Sequence, residues 1–110
     1  MQKTSLTALA RHELEHALSG SSGRSAKTLY GGQEHQLRQT LVALRAGVVM
    51  AEHENPGEAT VQVLHGRLEL ATADASWSGW VGDLIIVPDA THKVTAVEDC
   101  VFLLTVVKTQ

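Results

Sequence analysis

The histidines are the residues whose spacing could do chemistry, and two constellations stand out among the six in this 110-residue chain. The first is His12-Glu13-Leu14-Glu15-His16, which reads as HExxH, the pattern in which two His one helical turn apart bind zinc and the Glu acts as base. The second is split between two stretches. Residues 47–66 (GVVMAEHENPGEATVQVLHG) carry His53, and residues 82–96 (GDLIIVPDATHKVTA) carry His92. Imidazole and carboxylate side chains such as His53, His92 and the nearby Glu58 are of the types that suit a transition metal or a polar ligand if a fold brings them together.

Each constellation depends on the element that would carry it. Residues 1–18 have a helical pattern in which Leu6, Leu9, Ala10, Leu14, Ala17 and Leu18 share one side, with Thr4 or Ser5 as the cap and Gly20 as the stop. His12 and His16 fall well away from that apolar stripe. A zinc protease needs them facing a deep cleft with a third ligand, so this match is expected to be a solvated helix face. The SGSSG run at 19–23 is a flexible connector by composition. From residue 26 the periodicity changes to eight short β-type runs: AKTLY, QLRQTLVAL, VVMAEH, ATVQVLHG, RLELAT, DLIIVP, HKVTAV and VFLLTVV. No helix-length pattern interrupts them, which argues for an antiparallel sandwich or barrel and against βαβ units. The organisation expected is an N-terminal helix and linker over 1–23 and a β-barrel domain over 24–110.

The two histidine-bearing β stretches resemble the motifs of the cupin superfamily. The first cupin motif runs G-x5-H-x-H-x3or4-E-x6-G, and here Gly47, His53 and the closing Gly66 match it. The second runs G-x5-P-x-G-x2-H-x3-N, and Gly82, Pro88 and His92 follow it with His92 one residue early and Ala90 in place of Gly. The resemblance implies an all-β fold, a jelly-roll-like antiparallel barrel behind one short N-terminal α-helix. It also implies one divalent metal (Fe, Mn, Ni or Zn) in the barrel and a homodimer.

The chain departs from the motifs at their ligand positions: Asn55 stands where the second His belongs and Ala59 where the Glu belongs. His53 and His92 remain as candidate metal ligands, and Glu58 is a candidate third ligand if a bulge after Asn55-Pro56-Gly57 re-aims it. The pocket expected is lined by His53, Asn55, Ala59, Val61 and His92. Loss of an imidazole and a carboxylate weakens a metal site, so the reading favoured is a small-molecule-binding cupin whose metal site is degenerate or absent. The alternative is a mononuclear metal-dependent enzyme, of oxygenase or isomerase type, using His53 and His92. A metal-free isomerase with one of these His as general base is a third reading.

Other residues read as structure. Val61, Val63, Leu84, Ile86, Val94, Phe102 and Leu104 are expected to fill the barrel, and His35 and His65 to lie at the surface. Trp77 and Trp80 flank Gly79 in a hairpin, suited to packing, an interface or ligand stacking. Whichever of Arg38 and Gln39 points inward would offer a polar contact to an anionic ligand. A net charge of -3 without basic runs argues against nucleic acid as a partner, and no apolar stretch is long enough to cross a membrane. Cys100 is the single cysteine, which excludes an internal disulfide; with no signal-like segment in 1–10, a cytoplasmic location is expected.

Overall fold

The structure, a computed structural model, describes residues 1–53 and 57–108. The helix among the described residues, α1 (Leu6–Ser19), starts where Ser5 Oγ accepts the Ala8 N–H at 3.2 Å. It stops at Gly20, whose N–H donates to the His16 carbonyl. Among the described residues nine strands follow: β1 (Arg24–Tyr30), β2 (Leu37–Leu44), β3 (Val49–His53), β4 (Gly57–His65), β5 (Arg67–Ala71), β6 (Ser76–Trp80), β7 (Leu84–Ile86), β8 (His92–Ala96) and β9 (Cys100–Lys108). Eight correspond to the runs read from sequence. The ninth, β6 (SWSGW), was expected only as part of a hairpin, because its Ser and Gly residues carry little β propensity. Its partner β5 holds it in register, with Leu68 opposite Gly79 and Leu70 opposite Trp77.

The strands form two antiparallel sheets, β1-β2-β9-β4-β7 and β3-β8-β5-β6, packed face to face. Val42, Leu44, Val61, Val63, Leu68, Leu70, Val94, Ala96 and Phe102 fill the space between them. At one edge Arg24 Nη2 donates to the Val49 carbonyl at 3.1 Å, linking β1 to β3. At the other edge the sheets come so close that a Cβ on Gly79 would stand 2.9 Å from Val63 Cγ2. Gly66, the closing glycine of the first motif, turns β4 into β5 at φ 71°, and a Cβ there would lie 1.9 Å from the Asp99 carbonyl oxygen.

α1 covers the outer face of the larger sheet, where Ala10 and Ala17 pack on Leu41, Ala43 and Val101. β2 is therefore apolar on both faces from Leu41 to Leu44, and its sequence lacks the alternation of a half-exposed strand. The helix face also holds a polar residue that the sequence stripe did not include. Glu13 is buried, and its carboxylate accepts a hydrogen bond from Ser25 Oγ on β1. Leu18, counted in the stripe, is exposed.

One core assignment is corrected. Leu84 and Ile86, expected inside, are 59% and 69% exposed, whereas Ile85 and Val87 are buried. The cause is the pairing of β7 with β4, in which Ile85 stands opposite Val61. Directly opposed side chains share a face, so the inward Val61 takes Ile85 inward with it.

Candidate functional site

The inner face of the larger sheet is built in rows set by strand register. Leu44 pairs with Cys100, and Val42 with Phe102 and through it Val63; these close one end of the barrel with apolar side chains. The next row is Thr40, Leu104, Val61 and Ile85. The last is Arg38, Val106 and Ala59, with Val87 added by its N–H donating to the Ala59 carbonyl at 3.0 Å. Leu104 and Val106 pack on the inter-sheet core, so their partners Thr40 and Arg38 lie on the same inner face. The choice between Arg38 and Gln39 is thereby resolved: Arg38 is on the inner side and half-buried, while Gln39 hydrogen-bonds Thr105 on the outer side.

The facing sheet contributes His92 at the same end. β7 leads through Val87 and the Pro88 turn to the start of β8, where His92 continues the inner series of Val94 and Ala96 and is 2% exposed. Its Nδ1 stands 3.0 Å from the Ala90 carbonyl oxygen. A carbonyl can only accept, so Nδ1 carries the proton, and in the neutral ring Nε2 is the acceptor or metal-binding nitrogen. His53 pairs with His92 across β3 and β8, beyond a register shift that follows Met50.

The remaining expected site residues separate. Ala59 and Val61 are buried on the inner wall. Glu58 lies on the exposed outer side, because β4 keeps a continuous register with β9 from Gly57 through Val63 and the bulge that would have re-aimed it does not occur there. Asn55 lies outside the described residues. Among the described residues no three His, Cys, Asp or Glu are grouped to hold a metal. Of the positions described at this end, Ala59 supplies no donor atom and Glu58 is turned outward, while Arg38, Thr40 and His92 bring a cation, a hydroxyl and an imidazole above an apolar floor. Thr40 was not singled out from sequence; it carries the same parity as Arg38, and no alternation marks it.

Trp77 lies on the inner face beside Leu70, at the free edge of the smaller sheet, and is 41% exposed. Trp80 faces outward, with the Arg67 guanidinium stacked 4.5 Å from its ring centroid. His65 is exposed. His35 packs edge-on against Tyr30, with Glu34 Oε1 3.1 Å from its Nδ1. Of the first constellation, His12 and His16 are exposed and Glu13 faces the protein, so the HExxH glutamate is withdrawn from any role as base on the histidine side. Burial pushes the Cys100 thiol up to about 12.

No family model and no curated protein matches the chain. Solved structures do. A conserved protein of unknown function from Streptococcus pyogenes is 29% identical, with a TM-score of 0.74 over 83% of this chain and 79% of that one. A cupin superfamily protein from Desulfitobacterium hafniense is 16% identical, with a TM-score of 0.71 over 78% of each chain. An RmlC-like cupin from Desulfovibrio desulfuricans is 23% identical, with a TM-score of 0.67 over 76% of this chain and 81% of that one. The two packed antiparallel sheets are those of the cupin sandwich, here with one N-terminal helix. This chain is a small protein of the cupin fold.

Proposed function

We propose that this cupin-fold protein binds a small organic acid at the polar end of its barrel. The observation that carries the proposal is the arrival of Arg38 and His92, from facing sheets, on the inner wall at the same end of an otherwise apolar interior. A guanidinium pairs with a carboxylate or phosphate through two parallel hydrogen bonds. An imidazole on the facing wall adds a polar, hydrogen-bonding ring beside the guanidinium, which suits an acid that also bears a hydroxyl. Histidine is the side chain most often used as a general base, so the same arrangement supports a metal-free isomerase as well as a binding module. Fold alone does not choose the ligand.

The second reading rests on the register of His53 opposite His92. In it these two His hold one divalent ion of Fe, Mn, Ni or Zn inside the barrel. Elemental analysis of protein purified without a tag or chelator separates the readings. Substoichiometric metal, even after incubation with excess divalent ions, supports the organic-acid pocket. Near one metal per chain, lost in both His53→Ala and His92→Ala, overturns it in favour of the metal centre.

The proposal includes a homodimer. Leu84 and Ile86 expose apolar side chains on the outer face of the larger sheet, beside the uncharged Thr60 and Gln62. A face of this kind can meet its own copy without opposing like charges.

A further inference from the structure

We propose that α1 carries a metal site of its own, separate from the barrel, in which His12 and His16 chelate one divalent transition ion at the surface. The two rings are one helical turn apart, with centroids 4.4 Å from each other and planes inclined by 54°. Both are exposed, and among the described residues neither side chain makes a hydrogen bond or an ion pair. The helix that presents them is fixed at both ends by the Ser5 cap and the Gly20 stop. Its rotation is fixed as well. Glu13 is held inward by Ser25, and Ala10 and Ala17 are packed on the sheet, which leaves the His12–His16 edge toward solvent. Two imidazoles already on one helix face bind an ion with little further ordering cost, and water completes the coordination sphere. Imidazole nitrogens bind copper(II) more tightly than nickel or zinc, in the order common to such ligands. Glu13 faces the protein, so the motif binds here without the base that zinc-dependent hydrolysis requires.

Copper(II) chloride titrated into the whole chain by calorimetry tests this, with His53 and His92 left intact throughout. Three proteins are compared: the wild type, the double variant His12→Gln/His16→Gln, and the variant Arg11→His/His12→Gln, which keeps the number of histidines but moves one off the shared edge. The wild type is expected to take up one more equivalent than either variant. A single His16→Gln substitution is expected to weaken that step by about tenfold or more. Sites at the chain terminus or in the barrel contribute equally to all three and cancel in the difference. Both His are exposed, so circular dichroism is expected to be the same for all three without metal. Equal stoichiometry and affinity in the three proteins would overturn the proposal. Because this site would add metal to the whole protein, the elemental analysis of the barrel belongs in the His12→Gln/His16→Gln background, where its outcome is independent of α1.

Discussion

His92 reaches the inner wall because it begins the strand whose next inward residues are Val94 and Ala96, and the Ala90 carbonyl then fixes which ring nitrogen carries the proton. That placement was legible from the spacing of the second motif, even with the loop one residue short. Arg38 was half legible: the sequence narrows the choice to Arg38 or Gln39 and stops there, because α1 makes β2 apolar on both faces and erases the alternation that would have assigned parity. Glu58 was the opposite case, a residue with fitting chemistry and the wrong parity. Cys100 gives a prediction at this scale. Burial raises its thiol from an ordinary value near 9.0 to about 12, with the Leu44 backbone hydrogen bond opposing and Asp99 adding to the rise. A raised folded-state value means stability is intact below pH 9 and declines between about pH 9 and 12, as the unfolded thiol ionises first. Denaturant titrations at pH 8 and pH 10.5 are expected to give a lower midpoint at the higher pH, and the Cys100→Ala variant a smaller difference between the two. Iodoacetamide at pH 8 is expected to label Cys100 only after unfolding.

At the scale of elements, the join between α1 and the barrel turns on a hydrogen bond that the helical wheel did not foretell. Hydrophobic periodicity counts apolar residues, and Glu13 lies on the buried edge only because Ser25 on β1 supplies its donor. Ser25→Ala leaves a buried carboxylate short of that donor and is expected to cost about 1–3 kcal/mol, lowering Tm by about 5 °C or more. Adding Glu13→Met is expected to restore most of the loss, since an apolar pair needs no donor, and thermal unfolding of the single and double variants checks both. Gly66 offers a second test. Gly66→Ala combines a left-handed backbone with a collision against the Asp99 carbonyl, each costing about 1–3 kcal/mol, and chemical denaturation reads the sum. The strand runs were legible as short apolar segments, but β7 was inverted and β6 went unrecognised. A three-residue strand contains too little alternation to set its own parity, and β6 is a strand because β5 pairs with it.

For the whole molecule, the order of strands separates an apolar end from a polar one. Row after row of register carries Leu44, Val42, Thr40 and Arg38 from the apolar end to the polar one, with His92 on the inner wall of the facing sheet at that same end. The exposed Leu84 and Ile86 extend this account to assembly. Sedimentation equilibrium is expected to give a dimer, and Ile86→Glu a folded monomer, because a buried charge at a two-fold interface is repeated by its copy. The organic-acid pocket is tested most directly by thermal shift in buffer containing a chelator. The wild type and Arg38→Met are each screened against hydroxy acids, 2-oxo acids, dicarboxylates and sugar phosphates, with chloride at matched ionic strength as reference. The account predicts that at least one of these anions raises the Tm of the wild type by a few degrees, and that Arg38→Met, folded and of similar Tm without ligand, loses that response. A panel in which no anion distinguishes the wild type from Arg38→Met would contradict it.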